Sequence, residues 1–490
     1  MKSPLVAPIL ALLLVSAASA CSDDKDPANA GEPATSSAPT APDPGKGADD
    51  PAYKIAESAP VEDSVYPNVG DPGIDALHYD LDIAWDPEAS ELTGTATIAL
   101  RAAETAPEFR LDFGKPLEVT SATVDGAEVT TQHNGNNLVV AAPVVADHRY
   151  LLEVDYSGTP APTPAPSTRS DLATLGWTIT DSGEVWTMQE PYGAHTWYPV
   201  NDQPADKALY DFTISAPAPW VGVANGELMS TEQHDGTTVT EWHLDSPASS
   251  YLVTIAIGDF VKTVDETESG LPLTYWTPRG DPNAADRMRS MPHAMAWLED
   301  RLGPYPFSTL GAVVVDSKSA METQTLVTFG NTGYALSDEV ILHELGHQWY
   351  GDLVSPTDWR DVWMNEGMTM YLQAQYRADE SGRSIDAVMD EFALLEGGMR
   401  TTAGPPGDYD PRKFGAGNIY YGPALMWHEL RQRIGDDAFW AMVKKWPRVH
   451  AEGNATREQY LDWVEKETGQ ELSSFFDAWL LRRTTPERTE

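Results

Sequence analysis

Between residues 76 and about 265, hydrophobic and polar positions alternate. Tyr79, Leu81, Ile83 and Trp85 are separated by Asp80, Asp82 and Ala84. A period of two puts one set of side chains on each face of a strand. Leu92, Ala96, Ile98 and Leu100 repeat the pattern, as do Phe109, Leu111 and Phe113. Further strands are expected over 139–145, 150–156, 212–214, 239–244 and 251–257. Asp125-Gly126, Asn134-Gly135 and Asn225-Gly226 supply the turns, because these pairs tolerate the positive φ that tight hairpins require. Many short strands with hardly a helical stretch predict an N-terminal all-β sandwich domain over 61–268.

The period then lengthens. Residues 284–302 read as a helix closed by Gly303-Pro304. Short strands are expected over 311–315 and 321–329. Helical periods follow around 340–347, 362–372, 385–395, 421–434, 437–446, 457–466 and 472–481. A small sheet followed by many helices predicts an α+β domain over 269–490.

Composition changes the picture only ahead of these domains. Residues 22–60 are rich in Ala, Pro, Asp, Ser, Thr and Gly and nearly free of large apolar residues. Such a stretch cannot bury a core and reads as a disordered tether over 21–60. Residues 1–20 have the pattern of an export signal, with Lys2, an apolar run over 5–15 and Ala18-Ser19-Ala20. That run is too short for a permanent membrane span. Cys21, the only cysteine, cannot form an internal disulfide. It resembles the acylated cysteine of a bacterial lipoprotein, although Ala18 stands where Leu is usual. The expectation is an exported cell-envelope lipoprotein anchored at Cys21, with a secreted or periplasmic chain as the alternative. Any membrane contact is expected only through that anchor. The net charge of −43, from 75 acidic and 32 basic residues, repels nucleic acid and anionic lipid and suits a positively charged amine.

The candidate chemistry sits in 340–371. His343-Glu344-Leu345-Gly346-His347 places two imidazoles one above the other on a helix face, with Glu344 beside them. Glu366, in Trp363-Met364-Asn365-Glu366-Gly367, follows on a second helical period. Two His and one Glu would hold one Zn²⁺ per chain and leave a fourth position open for water, the arrangement of a hydrolytic site. Glu344 cannot easily reach the same metal. It is placed as general base for the zinc-activated water.

These motifs carry a resemblance. HELGHQWYGD, then WMNEG, preceded by Ser319-Ala320-Met321-Glu322-Thr323, is similar to the aminopeptidase N and leukotriene hydrolase family of zinc metallopeptidases. Ser319 and Thr323 depart from that family's usual Gly-x-Met-Glu-Asn. In the β domain, Gln189-Glu190-Pro191-Tyr192-Gly193-Ala194, Trp197-Tyr198-Pro199 and 202–207 are similar to the segment from which the family sends a Gln or Glu into its site. The resemblance covers about residues 75–485. The long helical C-terminal domain that roofs the cavity in many members has no counterpart, so an open site is expected.

The resemblance implies a thermolysin-like catalytic domain behind a β-saddle. It implies peptide substrates with a free N-terminus, cleaved one residue at a time, with a thermolysin-like endopeptidase as the alternative. It implies amine recognition by Glu322, with Glu190 and Gln189 from the β domain as further substrate-binding candidates. It also implies an oxyanion-stabilising tyrosine. Aligning Ala424-Leu425 with the family's helix start assigns this role to Tyr420, whereas aligning Gly422 would assign it to Ile419, which cannot donate. Tyr421 is the second choice.

Overall fold

The computed structural model describes residues 44–488. The export signal, Cys21 and the first half of the expected tether lie outside the described residues. Among the described residues, no helix is long and apolar enough to cross a membrane.

The alternating stretches form an eight-stranded sheet. Its order is Glu227–His234, Thr237–Ser249, Lys207–Pro217, Ile74–Asp86, Glu91–Ala102, Arg149–Gly158, Leu117–Val124 and Ala127–Glu128. Pairing is antiparallel except between Ile74–Asp86 and Lys207–Pro217, which run parallel with Leu81 opposite Phe212. Tyr79, Leu81, Ile83 and Trp85 are buried while Asp80, Asp82 and Ala84 face solvent, as the period of two requires. A five-stranded sheet and a three-stranded sheet complete the β half. Within 251–257 only the end is extended. Ser250–Leu252 is a 3-10 turn, and the strand is Ile255–Gly258.

The tether ends earlier than composition suggests. Pro51–Ala56 is a 3-10 helix capped by Asp50, whose side chain accepts from Ala52 N at 2.8 Å. Tyr53 and Ala56 bury themselves against Leu77, Ala99 and Leu209 of the large sheet. Two contacts are too few to register in composition, but a preformed apolar sheet face makes them sufficient. Residues 57–66 then continue as a strap onto the helical half. Ser64 N and Oγ donate to Asp358, Trp359 N donates to Asp63 Oδ2 at 2.7 Å, and Tyr66 Oη donates to Pro411 O.

The second half begins at 260 rather than 269. Phe260–Glu266 and Pro272–Pro278 form a hairpin that belongs to the sheet of the second half, ordered Phe260–Glu266, Pro272–Pro278, Leu310–Val315, Leu326–Gly330, Ala320–Met321. The expected strand 321–329 is in fact a second hairpin. Thr325 lies at φ 63°, in the left-handed region, which breaks the strand and folds Ala320–Met321 back along Leu326–Gly330 as the edge. Helices Met291–Leu302, Asp338–His347, Trp363–Ser381, Ile385–Ala403, Asn418–Ile434, Asp436–Val449, Arg457–Thr468 and Ser473–Leu480 pack around this sheet. A single continuous apolar core runs from Val65 to Leu480 through both halves.

Candidate metal centre

Ser337 caps the first metal helix, Asp338–His347, with its side chain accepting from Val340 N. Asp338 and Glu339 in the first turn suit the positive end of the helix. His343 and His347 fall one turn apart and both are buried. After His347 the helix widens into a π-type turn over Gln348–Asp352, which breaks at Tyr350 and at Gly351, whose φ of 134° favours glycine. That turn brings Tyr350 O to 3.0 Å from His347 Nδ1. With its Nδ1 proton donated to this carbonyl, His347 offers the Nε2 lone pair to the centre.

The second helix, Trp363–Ser381, places Glu366 opposite the imidazoles. Glu366 Oε2 lies 3.2 Å from His343 Nε2 and 3.3 Å from His347 Nε2, and the two Nε2 atoms are 3.2 Å apart. Ligands at roughly 2.0–2.1 Å in tetrahedral geometry are separated by about 3.3 Å, so the three atoms form one face of a zinc-sized tetrahedron. The nitrogen and carboxylate donors suit that metal. Gly367 allows this packing. A Cβ there would come within 2.3 Å of Pro423 Cβ on the third helix, Asn418–Ile434.

Three further carboxylates, Glu190, Glu322 and Glu344, share a cavity of about 400 Å³ with the triad. Glu322 comes from the edge hairpin and Glu190 from the β half, and both are buried. One carboxylate oxygen of each has no partner. Glu322, Glu344 and His347 bring ligand-type atoms within 4.8 Å of one another. Burial pushes the carboxyls of Glu190, Glu322 and Glu344 above their ordinary range, and mutual repulsion adds to this. Glu366 goes the other way. Burial would raise it, but its two histidine neighbours, His347 foremost, hold it far below. A larger depression, about 690 Å³, lies on the β half between Trp85 and Trp220. Its Asp86, Glu88 and Glu91 stand on a solvated rim, and the candidate site residues line the other cavity.

On the third helix, Tyr420 lines the cavity with its ring centroid 6.0 Å from that of His343. Tyr421 lies farther round the wall, with its ring packed 4.5 Å from Phe392. Gln189 is outside the cavity wall, contrary to expectation. Its Nε2 donates to Ser250 O at 2.6 Å and its Oε1 accepts from Trp197 Nε1 at 3.0 Å. Both polar ends are spent inside the β half, and only its neighbour Glu190, just beyond the end of strand Val185–Met188, lines the cavity. The 202–207 segment is also scaffold. Asp202 accepts from Gly193 N, and Lys207 Nζ donates to Asp352 O at 2.6 Å, gripping the turn after the first metal helix.

Two features escaped sequence reasoning. Gln348 donates to Glu322 O and accepts from Thr325 N, tying the edge hairpin to the metal helix. Its position directly after His347 was the available signal. Arg169, in a proline-rich loop without periodicity, reaches the cavity and donates to Tyr420 Oη at 3.3 Å. The two departures from the resembled motif also find partners. Thr323 Oγ1 pairs with Thr328 Oγ1 at 2.9 Å, and Ser319 Oγ pairs with Asp171 and Arg169.

The Peptidase M1 N-terminal domain model matches residues 75–252, and the Peptidase family M1 domain model matches residues 287–479. Aminopeptidase N of Streptomyces lividans is 25% identical over 445 residues, covering 83% of this chain and 50% of the relative. Aminopeptidase B of Mus musculus is 28% identical over 333 residues, covering 61% and 49%. The chain thus spans about half the length of these relatives. The fold is that of the M1 zinc metallopeptidase from Deinococcus radiodurans, with a TM-score of 0.78 at 24% identity, covering 88% of this chain and 99% of that one. A mutant of that protein has been solved with a bound Tyr-Ser-Ala substrate (24% identity, TM-score 0.78, 88% and 100% covered).

Proposed function

The chain belongs to peptidase family M1, and on that premise we propose that it is a zinc aminopeptidase, cleaving the first peptide bond of peptides with a free N-terminus. The observation that carries this reading is the trio of buried carboxylates beside the metal triad. Glu190, Glu322 and Glu344 are more carboxyl groups than a metal-dependent hydrolase needs, and two of them have an unpartnered oxygen. An α-ammonium group fits that acidic end, because charge-assisted hydrogen bonds are strong where water is scarce. An endopeptidase must leave the same space open for chain on the N-terminal side.

Zinc on His343, His347 and Glu366 would supply Lewis acidity at the scissile carbonyl. The substrate ammonium donates N–H bonds to Glu322 and Glu190. The backbone beyond it runs along Ala320–Met321, whose outer edge is unpaired and can accept an added strand. Glu344 accepts the proton of the attacking water and passes it to the leaving nitrogen as the C–N bond breaks. Tyr420 donates its O–H to the carbonyl oxygen as charge develops there. The products are one free amino acid and a peptide shortened by one residue.

The test is turnover of aminoacyl 4-nitroanilides against the same compounds with the amine acetylated. Only the free amines should be hydrolysed, and a chelator should abolish the activity until zinc is restored. Cleavage confined to blocked peptides would replace this reading with the endopeptidase.

A further inference from the structure

We propose that Arg169 is a positioning residue for the oxyanion tyrosine, held in place by a loop of the β half that exists to aim the Tyr420 hydroxyl. The inference rests on the reading of Tyr420 given above and extends it to residues outside the catalytic half.

The loop docks on the turn that leads into the tyrosine helix. Pro166 O accepts from Phe414 N at 2.9 Å, Ser167 Oγ donates to Phe414 O at 2.8 Å, and Arg169 N donates to Ser167 Oγ at 3.2 Å. The stem of Arg169 lies on Gly415, where a Cβ would approach Arg169 Cδ to 3.3 Å. The guanidinium is then fixed on three sides. Nε and Nη2 donate to Asp171 Oδ1 and Oδ2 at 3.3 and 2.6 Å, Nη2 also donates to Ser319 Oγ at 3.2 Å, and Nη1 donates to Tyr420 Oη at 3.3 Å.

Chemistry fixes the direction of the last bond. A guanidinium has no acceptor, so Tyr420 Oη must accept from it. The phenol's own proton is thereby turned away from Arg169, toward the side of the cavity where His343 and Glu366 lie. A donor oriented before charge develops costs no reorganisation at the moment of reaction. The positive charge beside the phenol oxygen also strengthens it as a donor. Asp171 neutralises most of that charge toward the rest of the cavity, so Arg169 is poorly suited to bind a substrate carboxylate. Ser319 acquires a role here. It stands where the resembled motif has glycine, and its hydroxyl accepts from Arg169 Nη2 and donates to Asp171 Oδ2, bracing that ion pair.

The experiment is a double-mutant cycle on an aminoacyl 4-nitroanilide, with Arg169→Met, Tyr420→Phe and the pair, together with Arg169→Lys and Ser319→Gly. Zinc content and melting temperature are measured for each. Tyr420→Phe should lower kcat by about 10²–10³-fold. Arg169→Met should lower kcat by about 10–50-fold with KM within about twofold. Added to Tyr420→Phe, it should cost less than about twofold more, because it acts only through that hydroxyl. Arg169→Lys should recover part of the loss, and Ser319→Gly should lose about two- to threefold, again only when Tyr420 is present. Independent, multiplying losses, or an effect confined to KM, would overturn the proposal and make Arg169 a substrate contact. Near-parental turnover in Tyr420→Phe would instead overturn the reading of Tyr420 itself. Should Arg169→Met fail to fold, Arg169→Lys and Ser319→Gly, each crossed with Tyr420→Phe, decide the matter by the same non-additivity.

Discussion

The centre is built in two unlike ways. The metal triad comes from two helices packed side by side, with all three ligands inside 24 residues and their atoms 3.2–3.3 Å apart. The groups around it come from four distant places: Arg169 and Glu190 from the β half, Glu322 from the edge hairpin, Tyr420 from the third helix. Helix periodicity alone aligns the first set. The second exists only once both halves are folded together. A triad of this kind suits any hydrolysis at a polarised carbonyl, whereas in the proposed function the surrounding groups select the free amino end of a peptide.

The sharpest way to break this division is Glu344→Gln. It removes the proton acceptor on the local side and leaves the triad intact, so turnover should fall by about 10²–10⁴-fold with zinc content unchanged. Steady-state rates beside metal analysis check this, and parental activity would refute the mechanism. On the convergent side, Glu322→Gln and Glu190→Gln would each remove one proposed partner of the substrate ammonium. Each should lower kcat/KM for free-amine substrates by about 10–100-fold, the worth of a charged hydrogen bond. Gln189→Leu makes the contrast. It should lower the melting temperature and leave KM alone, because its amide serves only Ser250 and Trp197.

The smallest effect lies far from the centre. On the face of the large sheet that carries Tyr53, Asp211 joins His78 at 2.8 Å and His243 at 2.6 Å across three strands. Burial alone would raise its carboxyl, but hydrogen bonds from His243 and His78 pull it down to about 2. The bond to Asp211 raises His243, against the opposing effect of burial. The depressed carboxyl contributes stability above its unfolded value of 3.8, lost as pH falls toward 2. The raised imidazole contributes below its unfolded value of 6.5, lost as pH rises through its folded value. Asp211→Asn should therefore lower the melting temperature by about 1–3 °C near pH 5 and by less at pH 8, with activity retained.

What could be read from the chain follows the same division. Alternation at Tyr79–Trp85 and the His343–His347 spacing are local, and both were legible. The break at Thr325 was not, because nothing in the composition of 321–329 marks the one residue that turns left-handed. The packing of Tyr53 on Leu77 and Leu209 was hidden because it depends on a surface made by other strands. Gln189 was misassigned because a matching segment does not say which of two adjacent side chains points inward. Arg169 was invisible, since nothing in a proline-rich loop marks the residue that will reach a helix 251 positions away.

The strap over residues 57–66 has a practical bearing on recombinant production. The match to the N-terminal domain begins at residue 75, a tempting place to start a shortened chain. Such a chain would keep every strand of the large sheet. It would lose the Asp63 carboxylate that caps Trp359 N and the Ser64 contacts to Asp358, on the turn that feeds the helix bearing Glu366. Trimming the chain by domain boundaries would thus loosen a metal ligand some 300 residues downstream of the cut.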